Sequence, residues 1–232
     1  MSTAFDPRTG RSMPPAAHRH ESPFDAPDAV HRIGAYLVRR ALPEDALAYC
    51  LADAEMVSSS YPDVMPQQWS RDRLEEAEGL APERARAFAE NLAAEWRGEE
   101  PQDRTWLALA DEGAIAGICV SRATPQDWEA INEVQPIPGV TRQLNHLYLR
   151  ASAQGTGLAD ALMDLALPGR MPAYLWIIGG NERGRRFYLR HGFVGDGVTY
   201  SCGPVWYDMP LFRMYRTASG QGRAAYPPGH RG

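Results

Sequence analysis

The stretch whose residue types and spacing most suggest chemistry runs from Leu147 to Ala159 and reads L-Y-L-R-A-S-A-Q-G-T-G-L-A. Residues suited to a buried strand lead through small and polar ones into a turn carrying two glycines, and an amphipathic run begins at Leu158. Strand, glycine turn and helix in that order form a cradle for an anion. The glycines let the backbone approach a phosphate closely and point successive N–H groups into one concavity. The first turn of the helix adds unpaired donors and a partial positive charge. No side-chain cation is required. The chain has no lysine, and its 24 basic residues are all arginine. A Walker A loop, which needs Gly-Lys-Ser/Thr after such a strand, is excluded, and so is a lysine Schiff base. A dinucleotide fingerprint would place a third glycine or alanine three positions after Gly157, where Asp160 stands.

Gln154-Gly155-Thr156-Gly157-Leu158-Ala159 resembles the Q/R-x-x-G-x-G/A signature of the GNAT superfamily of CoA-dependent N-acyltransferases. A second group follows at a matching distance. Tyr174-Leu175-Trp176-Ile177-Ile178, then Asn181-Glu182-Arg183-Gly184-Arg185-Arg186-Phe187-Tyr188, then His191-Gly192-Phe193 are similar to that family's next strand and helix. The resemblance covers Leu144 to roughly Val194. It implies an α/β (α+β) fold with a mixed central sheet of about seven strands, splayed between the fourth and fifth and flanked by about four helices.

The resemblance also implies a cosubstrate, acetyl-CoA, and a place for each of its parts. The backbone of Leu147, Tyr148 and Leu149 would hold the pantetheine arm. The N–H groups of Gln154, Gly155, Thr156, Gly157, Leu158 and Ala159 would take the pyrophosphate. Asn181 would bond the arm and Arg185 would reach an outer phosphate, with Arg183 read as a solvated helix arginine. The implied reaction is direct attack of a neutral primary amine of a small molecule on the thioester. Tyr188 stands where the family keeps its general acid, and a phenol of pKa about 10 stays protonated at neutral pH yet can donate to a departing thiolate. Many relatives carry a glutamate base near the fourth strand. Gln143 and Asn145 occupy nearby positions here and cannot serve, which makes His146 the best base, with Glu129, Glu133 and Asp208 behind it. Tyr61 and Trp69 are candidate acceptor contacts by the same resemblance. Alternative readings are a longer acyl-CoA or aminoacyl-tRNA donor, or an acyl-CoA sensor without activity.

The supporting elements follow from periodicity. A first strand spans Gly34 to Arg40. A helix opens at Pro43-Glu44-Asp45 with Leu47, Cys50, Leu51 and Ala54 as its core stripe. After Ser58 to Pro62 comes an irregular stretch through Trp69, then a broken helix from Arg71 to Glu78 that restarts at Pro82, with Phe88, Leu92 and Trp96 facing inward. Thr105 to Ala110 and Ala114 to Arg122 form a hairpin around Asp111-Glu112-Gly113. Ala123 to Val140 is too irregular for an element and is expected to be a lid near the acceptor. Arg142 to Leu149 is the fourth strand, and its mixed pattern on both faces fits a strand carrying a site. Leu158, Leu162 and Leu165 bury one helix face. The fifth strand, Ala173 to Ile178, breaks away at Gly179-Gly180. In the helix from Asn181 to His191, Asn181, Gly184, Arg185 and Tyr188 share a face, and the mid-helix glycine implies a close neighbour. Val194 to Tyr200 and Val205 to Tyr215 make a last hairpin in which Pro210 marks a bulge or an edge.

The 232 residues, 44% hydrophobic and 23% charged, suit one soluble domain. It is expected over residues 30–216, between a mobile arm at 1–29 and a tail at 217–232. A net charge of −5 disfavours nucleic acid and weakly favours cationic acceptors. With no membrane-spanning run and no secretory h-region, a cytoplasmic protein is expected. Cys50, Cys119 and Cys202 are too scattered for a disulfide framework, and no metal is expected at them or at His18 and His20. Trp206, Tyr207 and Phe212 could pair protomers into a homodimer.

Overall fold

The computed structural model describes residues 29–98, 103–123 and 126–218. Most of the expected arm and tail, with His18 and His20, lies outside the described residues. Eight strands build one mixed sheet: β1 (His31–Ile33), β2 (Tyr36–Arg40), β3 (Arg104–Leu109), β4 (Ile115–Ala123), β5 (Arg142–Leu149), β6 (Ala173–Ile178), β7 (Val194–Ser201) and β8 (Pro210–Arg216). Their order is β1-β2-β3-β4-β5-β6-β8-β7. The added short strand β1 turns the expected fourth and fifth strands into β5 and β6. All pairings are antiparallel except β5 with β6.

Helices α1 (Ala46–Ser60) and α2 (Gln67–Arg97) cover one face of the sheet. The core stripe of α1 is Ala46, Tyr49, Ala52, Met56 and Val57, which corrects the expected one: Leu47 and Leu51 are 48% and 42% exposed. The larger Tyr49 and Met56 lie on a different side of the helix from the leucines and fill the space over β3 and β4, stacking Tyr49 on Phe88 of α2 at 4.1 Å. The expected break at Pro82 is also corrected, since α2 runs unbroken for 31 residues. Ala77, Ala81 and Ala85 form a buried seam of small side chains, whereas Pro82 faces solvent. The carbonyl deprived of its N–H partner by the proline therefore lies on the wet side, where water can serve it. Gly98, at φ 69°, ends the helix in the left-handed conformation.

Helices α4 (Leu158–Ala166) and α5 (Glu182–Arg190) lie on the other face, with α3 (Asp127–Ile131) between β4 and β5 in the chain. Leu158, Leu162 and Leu165 pack with Leu144, Leu175, Phe193 and Met214 in the core beneath them. Pro210 marks no sheet edge, because β8 lies between β6 and β7; it is the first residue of its strand, where a missing N–H is tolerated. Among the described residues no helix is long and apolar enough to cross a membrane.

Candidate active site

The site begins with an irregularity in β5. Val120 pairs with His146 and Ser121 pairs with Leu144, so Asn145 is an extra residue on β5, a bulge that bends the strand. It also explains the mixed sequence pattern. Leu144 and Leu147, three apart, both pack on the core under α4, while His146 and Tyr148 face α1 and α2. Beyond the bulge β5 and β6 part company. Their parallel pairing is limited to Gln143 with Tyr174, whereas β6 stays paired to β8 along its whole length. Gly179 continues that bias by donating its N–H to the Pro210 carbonyl at 2.7 Å. The edge of β5 through Leu147, Tyr148 and Leu149 is thus turned toward a cleft.

At the cleft mouth the chain makes the turn the two glycines allow. Gly155 and Gly157 have φ of 78° and 83°, and nothing lies within 4 Å of where a Cβ would sit on either. Conformation, not crowding, requires glycine there. Among the described residues the N–H groups of Gly155, Thr156, Gly157 and Ala159 take no protein partner, and that of Leu158 has only a long 3.4 Å approach to Thr156 Oγ1. The Gln154 N–H departs from expectation: it donates to the Ala151 carbonyl at 3.2 Å, closing a 3-10 turn. The cradle therefore runs from Gly155 to Ala159, and Gln154 contributes its side chain, donating to the Leu149 carbonyl at 3.3 Å and accepting from Arg183. Arg183 is exposed and through that bond links α5 to the turn. Arg185 pairs with Glu182 at 3.5 Å on the same helix.

The far wall is α5. Asn181 caps it, its Oδ1 accepting the Gly184 N–H at 2.8 Å. The close neighbour implied by the mid-helix glycine is that same side chain, 2.9 Å from where a Cβ on Gly184 would stand. Tyr188 packs edge-on against Phe187 and Phe193. Its hydroxyl takes no hydrogen bond among the described residues and is not sealed from solvent. Enclosure, with Tyr61 nearby, pushes its pKa well above that of a free phenol. Tyr61 and Tyr148 complete the wall, their hydroxyls 3.3 Å apart and both held neutral mainly by burial, with Asn181 in contact with Tyr61. Trp69 lies behind Tyr61, sealed to 2% exposure and packed at a tilt against Trp206 with ring centroids 4.8 Å apart, so it supports the site without lining it.

On the α1 and α2 side of β5 lies a cavity of about 240 Å³ lined by Tyr49, Cys50, Asp53, Phe88, Arg84 and His146 among others. His146 Nδ1 is 3.0 Å from Asp53 Oδ1 and 3.3 Å from the Tyr49 hydroxyl. Sequence reasoning missed Asp53 because it assigned the wrong face of α1. The signal was the spacing Tyr49, Asp53, Val57, which puts all three on one side of the helix.

The other base candidates are elsewhere. Glu129, 2% exposed, accepts from the Tyr174 hydroxyl at 2.6 Å, Trp176 Nε1 at 2.6 Å and its own helix's Gln126 N–H at 2.7 Å. It clamps α3 onto β6, and the expected lid is in this part a docked segment. Replacing Glu129 with alanine strands these donors and is expected to cost about 3 kcal/mol of stability, read as a lower urea midpoint. Glu133 is exposed, and Asp208 sits in the exposed loop before β8, accepting from Ser201 at 3.1 Å. The proposed pairing surface shrinks likewise, since Trp206 and Phe212 pack within the chain and leave Tyr207, 52% exposed.

A sheet split lies beside a glycine cradle, with an unspent phenol at the wall. Residues 101–195 match the family model of the acetyltransferase (GNAT) domain. Solved structures similar to this chain include ribosomal-protein-S5-alanine acetyltransferase from Vibrio fischeri, at TM-score 0.56 and 13% identity over 82% of this chain and 97% of that one. The PaiA N-acetyltransferase from Thermoplasma acidophilum, solved with coenzyme A, superposes at TM-score 0.53 with 12% identity, covering 80% and 98%. An acetyltransferase of the GNAT family from Streptococcus pneumoniae gives 0.51 and 18%, covering 78% and 98%. No curated protein sequence matches significantly. By the family-model match residues 101–195 are similar to a GNAT acetyltransferase domain.

Proposed function

We propose that this protein is an N-acetyltransferase that moves the acetyl group of acetyl-CoA to a primary amine of a small molecule by direct attack. The observation that carries the reading is the single-pair contact between β5 and β6, opening onto the bare amides of Gly155 to Ala159. A pantetheine arm offers two amides in a row, which match a strand edge lacking its neighbour. A pyrophosphate matches a turn of unpartnered N–H groups at a helix start. The residues present therefore fit the cosubstrate. The backbone of Leu147 to Leu149 would bind the arm, and Asn181, with Oδ1 spent on its cap, would offer Nδ2.

In the transfer the amine nitrogen bonds to the carbonyl carbon as the carbon–sulfur bond breaks. Tyr188 gives its proton to the departing sulfur, and His146 takes the proton the amine must lose. A carboxylate beside Nδ1 favours the tautomer with the proton on that nitrogen, leaving Nε2 as the basic site. Asp53 thus acts as the group that orients the base.

Thermal unfolding of the full chain with coenzyme A alone tests the cleft. A ligand held only by the native state at a hundred times its Kd adds about 2.7 kcal/mol and raises the melting temperature. Release of free thiol from acetyl-CoA with an amine panel tests the reaction. Binding without thiol release would leave a sensor, and no shift at all would remove the reading.

A further inference from the structure

Resting on that reading, we infer that the acceptor amine carries a carboxylate: the cavity under α1 and α2 takes a small amino acid or a close relative of one. The chain as a whole has a net charge of −5, yet this cavity is lined by three arginines, Arg73, Arg84 and Arg122, against one carboxylate, Asp53. A polyamine or other polycation would find a single carboxylate, Asp53, on the lining for its several charges. An amine with its own anion would not, because its ammonium end finds Asp53 beside His146 and its carboxylate finds guanidinium donors suited to forked bonding.

The arginines are held in readiness, not consumed. Arg73 and Arg84 each approach the single carboxylate of Glu76 at 3.1 Å, so two positive charges share one negative. Arg73 is steadied from behind by the Trp206 ring, 5.7 Å from its guanidinium carbon. Among the described residues Arg122 is held by two long contacts, Nε at 3.5 Å from Asp103 and Nη1 at 3.4 Å from Gln126. The volume, about 240 Å³, falls below the range of roughly 300–1000 Å³ that holds drug-sized ligands, so the occupant is small. The amine end lies at His146, two residues and about 7 Å along β5 from Tyr148 at the cleft.

The test compares kcat/KM for acid and amine pairs differing only in the carboxylate: L-alanine with ethylamine, L-phenylalanine with phenethylamine, and spermidine as the polycation. The acids are expected to lead their amines by about tenfold or more, the worth of a charge-assisted bond to a guanidinium. Arg84→Gln should collapse that ratio toward one. Glu76→Gln, which frees the same guanidiniums, should raise it, an opposite sign that misfolding cannot mimic. Equal or better turnover of the plain amines or spermidine overturns the inference, as does failure of every acid. Thiol release with the plain amines or spermidine in either case keeps the acetyltransferase reading standing, whereas no thiol release with any acceptor and no coenzyme A shift would sink the two together.

Discussion

A Tyr188→Phe protein is expected to turn over at roughly a hundredth of the wild-type rate or less, the usual worth of a positioned general acid, while coenzyme A still raises its melting temperature. The substitution removes one oxygen and nothing else. Ring packing on Phe187 and Phe193 survives, and since the hydroxyl has no hydrogen bond among the described residues, little stability is lost with it. A drop in turnover without a drop in melting temperature would therefore report chemistry. The enclosure that lifts the Tyr188 pKa also fixes the pH behaviour. Its neutral form is the active one, so the rate should show no falling limb from loss of this proton below about pH 10. Full activity in the variant would shift the proton donor to the neighbouring pair, Tyr61 and Tyr148, both likewise held neutral by burial. Tyr61→Phe would then carry the loss.

Why the cleft was legible from the amino acids and its surroundings were not is a matter of range. Gly155 and Gly157 announce their conformation locally, because a positive φ is a property of one residue. The Leu158, Leu162, Leu165 stripe and the runs Arg142 to Leu149 and Ala173 to Ile178 were equally plain, each being buried on sides that a period alone identifies. Asn181 could be read as something special, but not as its own helix's cap crowding Gly184. The errors came where tertiary packing overrides periodicity. On α1 both Leu47 with Leu51 and Tyr49 with Met56 make plausible stripes, and the choice was made by what β3 and β4 could accept. At Pro82 the helix continues because its alanine seam is worth more than one lost bond on the wet face. Glu129 looked like a free acid in an irregular segment; its partners Tyr174 and Trp176 are more than forty residues away, and no local signal links them.

The same gap hid Asp53, and its replacement makes the sharpest test of the acceptor side. Asp53→Asn is expected to lower turnover by roughly a hundredfold near neutral pH, with the deficit shrinking as pH rises. In the proposed mechanism the carboxylate, 3.0 Å from His146 Nδ1, favours a proton on that nitrogen and leaves the other nitrogen's lone pair to accept one from the amine. An amide in its place can offer an N–H to Nδ1 and so draw the ring proton to the far nitrogen, where it blocks the basic site. His146→Ala removes the base outright. In either variant the amine must shed its proton to water, which is hardest when it is almost wholly protonated and easy near its own pKa of about 10. The gap from wild type should thus be widest at low pH and close toward alkaline pH. Were His146 only a tie between β5 and α1 through Tyr49 and Asp53, the variants would melt earlier and run at a constant fraction of the wild-type rate at every pH. Parallel profiles would therefore take both residues out of the mechanism and leave proton removal to water in the cavity.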